Sequence, residues 1–170
     1  MKWMALFVMT LVLFSGAAHP DLGKLEPLVG DYVLKERTKA TQQRDASIES
    51  VVQRLSILVR GIARKRLREG NAIPSRLSIQ QDGSKMTIGF DGSPWTGAVG
   101  GRAVPTVSER GDPLKMTLIQ KGTTLTQRFV GEDGGRENVF RAHDDRLTVD
   151  VRVFSDRLPA DVVYRLEFAR

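Results

Sequence analysis

From Pro74 onward the chain alternates between apolar and polar residues, and that period of two constrains its fold more than any other feature. RLSIQQ (76–81) and KMTIGF (85–90) set Leu77 and Ile79, then Met86, Ile88 and Phe90, on one face, with a DGS hairpin signal between them. LKMTLIQK (114–121) aligns Leu114, Met116 and Leu118; after KGT, TLTQRFVG (124–131) aligns Leu125, Gln127 and Phe129. RENVFRA (136–142) follows EDGG. RLTVDVRVF (146–154) follows HDD, with Leu147, Val149, Val151 and Val153 inward. VVYRLEF (162–168) closes the series with Tyr164, Leu166 and Phe168 inward. One wet face marks antiparallel strands, because parallel strands covered on both sides read as unbroken apolar runs. Turn chemistry recurring every 8–12 residues or so argues for a sandwich or barrel, and the short connections require sequence neighbours to pair. With RENVFRA left out, LVGDYVL (28–34) brings the count to seven strands, and AVPTVSER (103–110) is an eighth candidate weakened by Pro105. The expected fold is mainly β: an antiparallel up-and-down β-barrel or strongly curved sheet of 7–8 strands, with one amphipathic helix after the first strand.

That helix is expected over 45–69. Ile48, Val51, Val52, Leu55, Leu58, Val59 and Ile62 keep a helical period on one side. Asp45 or Ser47 would cap its start, Glu49 would lie in its first turn, and Gly70 would end it in a left-handed conformation. Within RGIARKRLREGN (60–71), Arg60, Arg64, Lys65, Arg66 and Arg68 put five cations in nine positions. Such a cluster is an electrostatic footprint for phosphate, yet it is equally what a solvated helix C-terminus carries. The second reading is preferred, and no nucleic-acid partner is expected.

The first residues supply a reason. MKWMALFVMTLVLFSGAAHPD has one early Lys, an apolar run over 3–14 and small residues at Gly16 and Ala18, the three parts of a secretory signal peptide. The run falls short of the roughly 20 residues that span a bilayer. Residues 1–18 are read as a cleaved leader and 19–170 as a single domain with no transmembrane segment. The protein is then exported: periplasmic in a Gram-negative host, otherwise secreted. The chain carries net charge +6, to which Lys2 of the leader contributes one, and it has no cysteine. The missing thiols exclude thiol catalysis, thiolate metal sites and attachment through a lipidated cysteine. An outer-membrane barrel is excluded by pattern: it needs aromatic girdles and an apolar outer band. Here aromatics are 6% of the chain, and Lys115, Asp150, Arg152, Arg165 and Glu167 occupy the outward positions.

Catalytic constellations are not found. His143 stands beside Asp144 and Asp145, but there is no serine in a strained elbow; GAVGG (97–101) lacks the helix and lysine of a phosphate loop. No cofactor is expected. A free amine at His19, joined by His143, has the nitrogen donors for copper, but no metal site is expected. DGSPWTGAVGGR (91–102) reads as a loop, with Trp95 packed on the core as a plug or serving as a lid.

A barrel of about eight strands is wide enough to hold one small ligand. The candidate cavity residues are Tyr32, Trp95, Met116, Gln127, Phe129 and Tyr164. Gln127 is the sharpest, since an amide between Leu125 and Phe129 must find a partner in a neighbour, a water or a ligand. Gly30-Asp31-Tyr32 in LVGDYVL resembles the G-x-W opening of lipocalin-like (calycin-like) barrels, with Tyr in place of Trp. A strand meander ending on a basic residue, as in YRLEFAR, is also similar to that group. The resemblance implies an apolar pocket for a small hydrophobic ligand, although lipocalins usually set their helix after the barrel. The expected function is therefore an exported soluble protein, not an enzyme, binding a small hydrophobic ligand or lipid. The alternative is a non-catalytic cell-envelope protein that binds a protein or surface partner.

Overall fold

A computed structural model of the chain describes residues 21–108 and 111–170. The expected leader, its cleavage point and His19 lie outside the described residues. A 3-10 helix, Leu22–Leu28, leads into β1 (Gly30–Leu34). Two helices follow, α1 (Arg37–Val52) and α2 (Ile57–Glu69). Then come β2 (Arg76–Asp82), β3 (Lys85–Phe90), β4 (Ser93–Ala98), β5 (Val104–Val107), β6 (Pro113–Lys121), β7 (Thr124–Val130), β8 (Gly134–His143), β9 (Arg146–Ser155) and β10 (Val162–Ala169).

All ten strands form one sheet in the order β4-β3-β2-β1-β10-β9-β8-β7-β6-β5. Every ladder is antiparallel, and the meander is broken only between β4 and β5. The sheet curls until β4 meets β6: Val99 bridges to Leu118, and the Gly100 amide donates to the Leu118 carbonyl at 2.8 Å. At Gly97 a Cβ would lie 3.1 Å from Met116 Cε, so the missing side chain lets the two ends approach. The result is a nearly closed barrel.

The strand alternation reads through to burial: Leu77, Ile79, Met86, Ile88, Leu118, Leu125, Leu147, Val149 and Leu166 are buried inward. The strand count of 7–8 is corrected to ten. One added strand is β4, placed in the expected loop 91–102; its residues Pro94 and Gly97 conceal the alternation around Trp95. The other is β8, which carries RENVFRA, while the eighth candidate forms β5, where Pro105 is tolerated at the end of the sheet.

The single helix 45–69 is corrected as well. Helical structure begins at Arg37 and breaks after Val52, and Ser56 adopts extended backbone before α2. The apolar stripe holds for Ile48, Val51 and Val52, which are buried, whereas α2 buries no residue. Helix α1 lies along β10 where β1 has stopped pairing. Lys35 N–H donates to the Glu167 carbonyl at 2.9 Å, and Val163 N–H donates to Ser47 Oγ at 2.9 Å. Ser47 thus serves a strand edge instead of a helix start. Asp45 accepts from Arg44 Nε at 2.9 Å and stands 3.5 Å from Arg68 Nε. Glu49 falls near the end of α1, and Gly70 is right-handed, with φ −75°.

Candidate functional site

The two ends of the barrel differ. At one end the 3-10 helix inserts Leu25 and Leu28, both with no exposed surface. Tyr32 O–H donates to the Leu28 carbonyl at 3.0 Å. Arg170 donates from Nη2 to the carbonyls of Pro27 and Val29, each at 3.0 Å, with its guanidinium 5.5 Å from the Tyr32 ring centre. Gly30 has φ +150°, and a Cβ there would press on Arg170 Nε at 3.2 Å. The Gly-x-Tyr opening and the terminal basic residue therefore meet, and together they fasten the stopper.

The inward rows become more accessible toward the other end. The row Leu166–Val149–Phe140–Leu125 is wholly buried, and Tyr164–Val151–Asn138–Gln127–Leu118 nearly so. In the next row Val153, Arg136 and Val104 are half-buried, as are Phe90 and Trp95 across the interior. This end is the mouth. Four rings cross it, with Phe90 and Phe140 stacked at 6.3 Å, Trp95 meeting Phe129 edge-on at 5.5 Å, and Phe90 tilted 6.4 Å from Trp95. Because β3 and β4 lie opposite β7 and β8, this aromatic bridge joins facing walls.

Beside the rings runs a polar relay. Arg136 Nε donates to Asn138 Oδ1 at 2.8 Å, and Asn138 Nδ2 donates to Gln127 Oε1 at 3.0 Å. It ends on Gln127 Nε2, which is buried and has no hydrogen-bond partner. An unmet buried donor is costly, by about 1–3 kcal/mol, so such a group needs a reason. Among the described residues no carboxylate pairs with Arg136, and the relay presents donors only at its two ends.

The sequence-derived candidates divide accordingly. Met116, Gln127 and Phe129 share the interior wall, and Trp95 reaches Phe129 from the opposite side. Tyr164 lies in the Gln127 row, but its hydroxyl is 3.4 Å from Asn71 Oδ1 and ties the barrel to the segment after α2. Tyr32 belongs to the stopper. Arg136, Asn138 and Phe140 were not singled out from sequence, and Phe90 was placed inward but not among the cavity candidates. In RENVFRA the inward residues are Arg136, Asn138 and Phe140, so apolar alternation does not mark that face. The available signal was register, since Asn138 stands directly opposite Gln127.

Elsewhere, a groove of about 830 Å³ lies between α1 and the outward face of β8–β10. Its charges neutralise one another. Asp150 is held between Arg141 and Arg165, and Arg152 pairs with Asp161 at 2.6 Å. Burial raises the Asp150 pKa, but the two guanidiniums outweigh it and hold the carboxyl below its usual range. His143 is an exposed hairpin residue whose Nδ1 lies 3.0 Å from Asp144. Among the described residues no group of three or more His, Cys, Asp or Glu is arranged to hold a metal, and no helix is long and apolar enough to cross a membrane.

No family model matches the sequence. An arginine biosynthesis bifunctional protein ArgJ of Mycolicibacterium paratuberculosis is 27% identical over 148 residues, which are 86% of this chain but 35% of that protein. The chain thus spans about a third of that relative's length. Solved structures decide the architecture. The fold is a nearly closed antiparallel β-barrel, similar to that of several solved structures. Apo lipid binding protein 8 of Caenorhabditis elegans superposes with a TM-score of 0.56 at 10% identity, covering 86% of this chain and 96% of that one. A Schistosoma mansoni fatty acid binding protein, in complex with arachidonic acid, gives 0.52 at 18% identity over 87% and 98%. A secretory abundant heat soluble protein of Ramazzottius varieornatus gives 0.55 at 13% over 85% and 95%. The lipocalin-like expectation holds at the level of the barrel, and these identities establish no closer family.

Proposed function

We propose that this protein is an exported, non-catalytic carrier or sequestering protein, taking a small hydrophobic molecule or lipid into the barrel through the end away from the 3-10 helix. The observation that carries the reading is the unpartnered Gln127 Nε2, wholly buried among apolar side chains. A ligand oxygen within reach would accept from it, and Arg136 at the mouth would draw a partial or full negative charge toward the same relay. The apolar remainder of the ligand would displace or lie along Phe90, Trp95, Phe129 and Phe140, three of which keep some exposure. The fold likeness to proteins named for binding lipids and fatty acids supports the same class of ligand.

Titration with a dansyl-labelled fatty acid, read through Trp95 emission, tests this reading. Trp95 and Trp3 are the two tryptophans of the chain, so removal of the leader leaves a single reporter. Saturable quenching of Trp95 is expected, with Gln127→Leu weakening binding about tenfold, as the loss of one buried hydrogen bond implies. Equal affinity in the variant would remove Gln127 from the site, and no saturable response in either protein would remove the carrier reading.

A further inference from the structure

The polar relay keeps unspent donors at both ends, and those ends lie at different depths. Arg136 and Asn138 are two residues apart on β8, and Gln127 stands directly opposite Asn138. The Gln127 row is therefore about 7 Å further in than Arg136. Arg136 spends Nε on Asn138 Oδ1, and no carboxylate among the described residues pairs with the rest of its guanidinium. Gln127 spends Oε1 on Asn138 Nδ2, and its buried Nε2 has nothing to donate to. The layer beneath differs. Gln120, opposite Leu125, gives Nε2 to the carbonyls of Asp21 at 2.6 Å and Gly122 at 3.0 Å, which leaves its buried Oε1 an unmet acceptor. Leu125, Phe140, Val149 and Leu166 complete that layer and have no exposed surface. An oxygen entering from the mouth thus meets Arg136 first and Gln127 second, and the layer below offers it apolar side chains and another acceptor.

The two ends also differ in the charge they favour. Arg136 is half-buried and permanently charged, which suits an anion. Gln127 is uncharged and wholly buried, so an ionised carboxylate carried to it would shed its water without gaining a cation. An uncharged oxygen meets that donor at far smaller cost. One carboxylate cannot serve both ends, because its two oxygens are closer together than the two rows. We propose that the ligand carries two oxygen groups: an anion held at the mouth by Arg136, and an uncharged carbonyl or hydroxyl oxygen, several bonds along the molecule, that accepts from Gln127 Nε2. The chemical class is an oxygenated acyl acid, distinguished from a plain fatty acid by its inner oxygen. The inference rests on the carrier reading and adds the feature by which the barrel selects its ligand.

Calorimetric titration with dodecanoate, and with its derivative bearing a keto group on the fifth carbon, tests it. Wild type should prefer the keto acid by about tenfold, as one hydrogen bond to an otherwise unmet donor implies. Gln127→Leu should abolish the preference. Gln127→Leu combined with Asn138→Leu should abolish it too, and since that pair leaves no amide of the relay unmet, it serves where the single variant melts early. Arg136→Gln should weaken both acids by a similar factor and keep the preference. Equal affinity of wild type for the two acids overturns the inference and leaves the carrier reading standing. A preference that survives both leucine variants overturns it as well, as does an Arg136→Gln variant that binds both acids as wild type does. Absence of saturable binding to either acid overturns the carrier reading and the inference with it.

Discussion

Arg170 contacts the 3-10 helix carbonyls and the face of Tyr32, and so connects the last strand to the segment that stoppers the barrel. Charged donors make the stronger hydrogen bonds, but this side chain is exposed and screened. Arg170→Ala should therefore cost about 1 kcal/mol, measured by urea unfolding, and should selectively raise hydrogen exchange in Leu22–Leu28. Unchanged exchange there would show that the stopper is held by Leu25 and Leu28 alone. Gly135 makes a larger demand. A Cβ at that position would stand 2.0 Å from the Phe129 carbonyl oxygen, which is backbone and cannot rotate away. Gly135→Ala should destabilise the protein by about 2–3 kcal/mol, as overpacking against a fixed neighbour does, and an unaltered unfolding midpoint would contradict the close β7–β8 approach. At this scale the sequence was informative where a residue type broke its local pattern. Gln127 stood out because an amide interrupts an apolar row. Asn138 and Arg136 did not, because their whole inward row on β8 is mixed, and the chemistry there appears only once β8 is set in register against β7.

Helices α1 and α2 are joined by charge more than by apolar contact. The bidentate bond from Arg64 holds the Glu49 carboxyl below its usual range and raises Arg64 in return. Because the folded pKa of Glu49 lies below the unfolded one, the pair contributes fully above the ordinary glutamate range, and its contribution disappears as pH falls through the depressed value. Acidification should then release α2 before the strands unfold, seen as early loss of amide protection over Ile57–Glu69. Glu49→Gln should reproduce that loss near neutral pH; simultaneous loss in α2 and β10 would contradict it. The helical period over 48–62 was legible, but the break was not. Periodicity reports which positions could share a side. It carries no information about whether a second layer exists for them to pack on; Leu58, Val59 and Ile62 have none, while Ala63 and Leu67, off that stripe, are the α2 residues that pack on the core.

For the whole molecule, alternation and hairpin chemistry specify an antiparallel meander, and the inward set they name is buried except for Phe90, Leu114 and Val153, which are half-buried. They do not specify closure. That depends on β4 reaching β6 past the short β5, through Gly97 and the Val99–Leu118 bridge, contacts far apart in sequence and made by residues with weak strand signals. The polar relay and the half-buried mouth follow from that closure, since a flat sheet would leave Gln127 Nε2 in water with nothing unmet. The central claim is that the barrel takes a hydrophobic ligand whose oxygen satisfies this donor. Native mass spectrometry of gently purified protein tests it most directly. The account predicts a defined additional mass, lost on denaturation, that is a lipid or other apolar molecule bearing an oxygen acceptor and is depleted in Gln127→Leu. A bare mass under conditions that preserve known lipid complexes, in wild type and variant alike, would contradict it.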